Sequence, residues 1–332
     1  MSRISIFTKA VVLSVVFVAV VCGYWGYQQF IQTVHQPLNI SQPSLYQLKR
    51  GQHLNHLVNQ LQQYGLEQQW PVKVLVKLQP ELANIKAGTY ELLPCMSLHQ
   101  VLQLLASGKE KQFELRLVEG FRWRDWQQQI QQHPHLYSDN VDKLTELLSP
   151  QGASLEGWLM PDTYHFTHGT DATTLVKRAY QHMQDFLQQQ WQNRKADLPY
   201  ASPYEALIMA SIVEKETGLA AERPRIAAVF VNRLKRNMRL QTDPTVIYGM
   251  GDQFDGNIRR EDLRTATPYN TYVIKGLPPT PIAMVSREAL IAALNPIDSE
   301  ELYFVSRNDG SHVFSTNLAD HNAAVRQYQL NQ

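Results

Sequence analysis

A helix with no polar face has to sit at the centre of whatever it folds into, and this sequence contains one. Residues 202–218 read Ser-Pro-Tyr-Glu-Ala-Leu-Ile-Met-Ala-Ser-Ile-Val-Glu-Lys-Glu-Thr-Gly. Ser202 followed by Glu205 is a capping box, and Pro203 stands where the first helical residue belongs. From Ala206 to Val213 every residue except Ser211 is apolar, so both sides of this helix are expected to be buried. Glu214 ends the run. A carboxyl group there is expected to be partly desolvated and to sit near the negative end of the helix dipole. Both effects favour the protonated form. A carboxylic acid kept protonated near neutral pH is what a glycosidic oxygen needs as a proton donor. The plain alternative is a solvated helix end, which Glu-Lys-Glu at a C-terminus most often is.

The rest of the chain narrows the setting. Its 332 residues leave room for two domains. With 44% hydrophobic and 18% charged residues the composition is that of a globular protein. The net charge of +1 arises from 31 basic and 30 acidic residues, and no basic stripe suggests nucleic acid as a partner. Cys22 and Cys95 are the two cysteines, which excludes a disulfide framework. Ala10 to Tyr27 is uncharged and almost wholly apolar, with Arg3 and Lys9 before it. At about 1.5 Å per residue such a helix reaches across a bilayer core. The preceding basic residues place the amino terminus in the cytoplasm and the remainder across the membrane. A cleaved signal peptide is the other reading. No small-x-small site follows the run, which is also longer than a signal core, so an uncleaved anchor over residues 10–30 is expected. Polar residues with Pro37 and Pro43 then predict a linker over 31–43.

Residues 44–110 read as a small α/β module. Leu45–Leu48 and 87–92 have the pattern of strands. Helices are marked by Leu54, Leu57, Val58 and Leu61, by Val72 to Leu78, and by a run capped at Ser97 and stopped at Gly108. Residues 111–332 form a larger mixed domain, so the fold class is α+β. A strand is expected over 112–118, and helices over 124–130, 171–191, the segment holding Ile226 to Leu234, 286–294 and 319–329. The aromatic stretch 155–166 has no clean period and is too apolar for an exposed loop, so it is expected against the apolar helix. Tyr303-Phe304-Val305 and His312-Val313-Phe314 flank Asp309-Gly310, a hairpin signal.

No Gly-x-Ser-x-Gly elbow, phosphate loop or dinucleotide fingerprint occurs. His53 and His56, like His165 and His168, are three apart but belong to no zinc pattern, so neither metal nor cofactor is expected. Polar and aromatic residues instead interleave over 240–251, 269–272 and 276–282. Aromatic faces and amide or hydroxyl groups in that mixture suit a sugar. They equally suit a set of buried turn residues satisfying one another.

At these residues the chain resembles the MltG (YceG-like) family of bacterial endolytic murein transglycosylases. The resemblance is carried by Glu-Gly-Trp-Leu-Met-Pro-Asp-Thr-Tyr at 156–164, Ala-Ser-Ile-Val-Glu-Lys-Glu-Thr at 210–217 and Val-Asn-Arg-Leu at 231–234. It continues through Met-Arg-Leu-Gln-Thr-Asp-Pro-Thr-Val-Ile-Tyr-Gly at 238–249, Tyr-Asn-Thr-Tyr at 269–272 and Gly-Leu-Pro-Pro at 276–279. The 303–305 strand, Asn317 and His321-Asn322 are also similar to the family. One departure is Thr280, where the family carries glycine, which would stiffen or narrow that loop.

The resemblance implies a LysM-like subdomain at 44–110, a transglycosylase domain at 111–332, and a single-pass protein of the bacterial inner membrane with its catalytic domain in the periplasm. The substrate would be the peptidoglycan glycan strand, cut internally between N-acetylmuramic acid and N-acetylglucosamine to leave a 1,6-anhydromuramyl end, terminating glycan elongation. Penicillin-binding synthases would be partners. Glu214 is the expected catalytic residue, acting as acid and then as base. Ser211, Glu216, Gln241, Thr242, Asp243, Tyr248, Asn270 and Tyr272 are the expected substrate contacts. Two positions on from Glu214, Glu216 lies about 200° around the helix and points the other way. Two other functions remain open: a muramidase using Glu214 with Asp243, and a non-enzymatic peptidoglycan-binding scaffold.

Overall fold

The structure is a computed structural model of the chain, and it describes residues 2–148 and 154–330. Two compact units emerge, Met1–Phe113 with Phe166–His168, and Glu114–His165 with Gly169–Gln332. The architecture is mixed α and β throughout.

The first unit opens with helix α1 (Ser2–His35), whose stretch Thr8–His35 is long and apolar enough to cross a membrane. Then come β1 (Ser44–Leu48), α2 (Leu54–Leu61), α3 (Trp70–Leu78), β2 (Gly88–Leu92) and α4 (Leu98–Ser107). The two strands pair antiparallel with Tyr46 opposite Tyr90. Ser97 and Gln100 complete a reciprocal capping box at the start of α4, and Gly108 ends it in the left-handed conformation that glycine adopts without penalty. Residues 31–43 differ from the expected linker. The helix runs on to His35, Val34 is buried in the module core, and Leu38 and Ile40 follow it there. Leu38 N–H donates to the Met96 carbonyl at 2.9 Å and Asn39 N–H to that of Tyr64 at 2.8 Å. Three apolar anchors spaced through a polar stretch hold it against the module.

The second unit contains β3 (Phe113–Leu117), α5 (Trp123–Gln131), β4 (Leu136–Tyr137), α6 (Val141–Leu148), β5 (Asp162–Phe166), β6 (Thr170–Asp171) and α7 (Ala172–Gln192). It continues with α8 (Pro203–Glu216), α9 (Arg223–Lys235), α10 (Asp243–Met250), α11 (Arg287–Leu294), β7 (Tyr303–Ser306), β8 (His312–Ser315) and α12 (Leu318–Val325). The strands form two-stranded pairs: β3 with β5, β4 parallel to β6, and β7 antiparallel to β8.

Helix α8 is the axis of this unit. Ala206 to Val213 are all buried, and α7, α9, α10 and α11 pack around them. Met209, Ile212 and Val213 share one core with Phe230, Leu290 and Trp158. Truncating one such large core side chain to alanine costs about 2–5 kcal/mol. The N-cap differs from a full capping box. Ser202 Oγ accepts the Glu205 N–H at 3.3 Å, but the Glu205 carboxylate reaches back one residue further, to the Ala201 N–H at 2.6 Å.

Leu155 to Met160 are buried, as the apolar composition predicts, but the stretch then forms a strand. In β5, Tyr164 and Phe166 point inward while Thr163 and His165 point outward, an alternation that neighbouring aromatics obscure. Gly157 has φ +76, and a Cβ there would lie 2.6 Å from Pro281 Cβ, so only glycine lets this segment meet the loop. Helix α10 begins at Asp243-Pro244, where the proline takes an early helical position that needs no N–H.

Candidate active site

The end of α8 places two glutamates on opposite sides, and their surroundings differ. Glu214 faces α11. Its carboxylate accepts the Ser286 N–H at 3.0 Å and the Ser286 hydroxyl. Ser286 is the N-cap of α11, and its Oγ also accepts the Ala289 N–H at 3.1 Å. The expected proton donor is thus a brace between two helices, occupied by hydrogen bonds. Glu216, about 200° further around the helix, is the one that lines a cavity.

Glu216 lies on the wall of a cavity of about 550 Å³, shared with Arg233, Asp243 and Tyr272. Its carboxylate accepts a hydrogen bond from the Thr242 hydroxyl. Thr242 is the N-cap residue of α10 by position, yet its hydroxyl serves Glu216 and not the helix. Burial is the largest influence on Glu216 and raises its pKa. The Thr242 hydrogen bond opposes that, Asp243 adds to it, and His312 and Arg233 oppose it. Burial wins, and the pKa is pushed up to about 7. Glu216 therefore carries the property expected of Glu214, a carboxyl group protonated near neutrality.

The cavity is built from distant segments. Arg233 of α9 is buried, and its guanidinium donates to the carbonyls of Leu302 at 2.6 Å and Leu240 at 2.7 Å. Those partners are neutral, so its positive charge acts on the cavity, although burial lowers its pKa. Tyr272 donates its hydroxyl to Asp243 at 2.6 Å. Burial and that bond both raise the tyrosine pKa. Gln241 joins the wall in a left-handed backbone conformation, φ 51, uncommon outside glycine. From the hairpin and α12 come Tyr303, His312 and His321. His321 stacks on Tyr303 with ring centroids 5.1 Å apart, and burial, then Arg233, lower its pKa.

Of the expected contacts, Glu216, Gln241, Asp243 and Tyr272 line the cavity. Thr242 stands behind them, bonded to Glu216. Ser211 is a core residue, donating to the Ile208 carbonyl at 2.7 Å and accepting the Ile282 N–H at 3.0 Å. Asn270 is a buried brace whose amide donates to the carbonyls of Asp262 and Thr265. Tyr248 turns to Glu156, donating at 3.1 Å. Ser211, Asn270 and Tyr248 each satisfy a neighbour inside the fold and lie away from the residues that line this cavity. Glu156 was not singled out. It is 4% exposed, accepts the Trp123 N–H at 3.0 Å, and burial pushes its pKa up to about 7. Arg233 and His321 lay in motifs already quoted, while His312 read as a strand residue alone.

A family model described as the YceG-like family matches residues 46–327. A Bacillus subtilis protein named endolytic murein transglycosylase is 38% identical over 175 residues, covering 52% of this chain and 48% of that protein. A Streptococcus pneumoniae protein of the same name is 27% identical over 362 positions, covering 96% of this chain and 65% of that protein. The chain thus spans between about half and two thirds of the length of these relatives. A crystal structure of a YceG-like protein from Listeria monocytogenes matches with a TM-score of 0.53 and 28% identity, covering 85% of this chain and 99% of that one.

Proposed function

From the premise that the chain belongs to the YceG-like family, we propose that it is an endolytic peptidoglycan lytic transglycosylase whose proton donor is Glu216. The observation that carries this reading is a carboxyl group with a pKa of about 7 on the wall of a cavity lined by polar and aromatic groups. The relatives named endolytic murein transglycosylase support the substrate class. Protonated Glu216 donates to the oxygen of a glycosidic bond between N-acetylmuramic acid and N-acetylglucosamine. The C1–O bond breaks as an oxocarbenium-like sugar develops, and the C6 oxygen of the same sugar closes on C1. The C6 hydroxyl proton leaves as that bond forms. No water enters, and the product ends in a 1,6-anhydro sugar.

In this reading α1 is the membrane anchor, with the amino terminus cytoplasmic and the rest periplasmic. Its length and apolar composition support that role. The 44–110 module, with its strand–helix–helix–strand order, is a LysM-like glycan-binding element, and penicillin-binding synthases are partners in ending glycan elongation.

The test is digestion of purified sacculi by the full chain, read by mass spectrometry. Wild type and Glu214→Gln release anhydro ends, and Glu216→Gln releases none. Reducing ends, one water heavier, would make the protein a muramidase pairing Glu216 with Asp243, which lines the same cavity. Binding without release would make it a scaffold.

A further inference from the structure

We propose that His312, oriented by Glu222, is the base that takes the C6 hydroxyl proton, so that Glu216 acts as acid alone in the cleavage step. The inference rests on the transglycosylase reading and supplies the group which that reading leaves unnamed.

Three observations carry it. First, His312 lines the same cavity as Glu216. Second, the ring is held from behind. Nδ1 lies 2.7 Å from one Glu222 carboxylate oxygen, and the His312 backbone N–H donates to the other at 3.1 Å. An ionised carboxylate only accepts, so Nδ1 carries the proton in the neutral ring. The lone pair is then on Nε2, the nitrogen that can work on a ligand. A base aligned by a carboxylate on its far nitrogen is the arrangement that general-base histidines use. Third, the ring plane is fixed. Phe304 meets it edge-on, with centroids 5.4 Å apart at 89°. Glu222 precedes α9 and His312 opens β8, so the dyad joins segments 90 residues apart at the cavity wall.

The step balances. The C1–O4 bond breaks and O4 takes the Glu216 proton. The O6–C1 bond forms and the O6 proton moves to Nε2. Transfer of that proton from His312 to the Glu216 carboxylate restores both groups for the next cut. Glu222 touches no substrate and is a positioning residue.

The test uses the full chain in detergent with uncross-linked glycan strands and counts anhydro ends. His312→Asn keeps a donor where Nδ1 was and removes Nε2. It is expected to lower kcat by about 100-fold or more, with KM changed little. Glu222→Gln still accepts from Nδ1 and is expected to lower kcat by about 10-fold, again at constant KM. Free imidazole is expected to restore turnover to His312→Ala and none to Glu216→Gln. Near-wild-type kcat in folded His312→Asn, or in Glu222→Gln should His312→Asn not fold, would overturn the inference and return both proton transfers to Glu216. Loss of activity in His312→Ala that imidazole does not rescue would also overturn it, leaving His312 as a pin between β8 and the start of α9. If wild type makes no anhydro ends, the parent reading fails. If wild type is active, Glu216→Gln dead and His312→Asn active, only the inference fails.

Discussion

Replacing Glu216 by glutamine should make the protein more stable above neutral pH while abolishing its chemistry. Burial pushes the Glu216 pKa to about 7, against 4.5 for an unconstrained glutamate. The folded protein therefore binds this proton more tightly than the unfolded chain. Stability from this group is fully present below the unfolded pKa of 4.5 and is lost as pH rises towards the folded value of about 7. One pKa unit corresponds to about 1.4 kcal/mol, so the group destabilises the folded state by about 3 kcal/mol at pH 8. Glutamine cannot ionise, and its carbonyl still accepts from Thr242. The stability difference between variant and wild type should be flat below pH 4.5, open between 4.5 and about 7, and level off above. In a unit of this size about 3 kcal/mol corresponds to a Tm rise of roughly 6–12 °C. The assay is urea or thermal unfolding of both proteins at half-unit pH steps. A pH-independent difference, or a variant less stable at pH 8, would refute the claim that desolvation dominates at Glu216.

Three further expectations follow from the same geometry. Thr242→Val removes a hydrogen bond that lowers the Glu216 pKa, so the alkaline limb of the pH–rate profile should move upward. Gly157→Ala forces a Cβ to within 2.6 Å of Pro281 at φ +76, and thermal unfolding should show a loss of more than about 1 kcal/mol. Glu214→Ala leaves the Ser286 N–H without its acceptor. It should cost about 1–3 kcal/mol in urea unfolding and lower turnover per folded molecule without abolishing it, because the turn that holds Glu216 loosens.

Helix α8 was readable because burial on every side leaves a composition that no surface helix has. The rest of the local framework was readable for similar reasons: Ser97, Ser286 and Asp309-Gly310 carry backbone instructions within a few residues. Which of the two glutamates meets the cavity was not. Helical period separates Glu214 from Glu216 by angle, but it does not say what each side meets. That is decided by Ser286, 72 residues on, and by Arg233, Thr242 and the β7–β8 hairpin. His312 gave no separate signal, since its partner Glu222 lies 90 residues away. The polar motifs at 240–251 and 269–272 divided between the two readings they allowed. Asp243 and Tyr272 reach the cavity, while Asn270 and Tyr248 hold up the loop behind it.

The two glutamates also show why one helix end carries both. A carboxylate at a helix C-terminus meets the negative end of the dipole, which disfavours its charge. For Glu214 the start of α11 offsets this, because the Ser286 N–H and hydroxyl bond the carboxylate at the positive end of that helix. That bond ties the last turn of α8 to α11, in the part of a helix that would otherwise fray. Glu216, two residues on, is the final residue of α8. It can be held in position because Glu214 anchors the turn on one side and Thr242 bonds its carboxylate on the other. A proton donor gains from being fixed before its substrate arrives. In the proposed reaction Glu214 and Thr242 would keep the acid in place, with Glu216 as the group that a glycosidic oxygen meets.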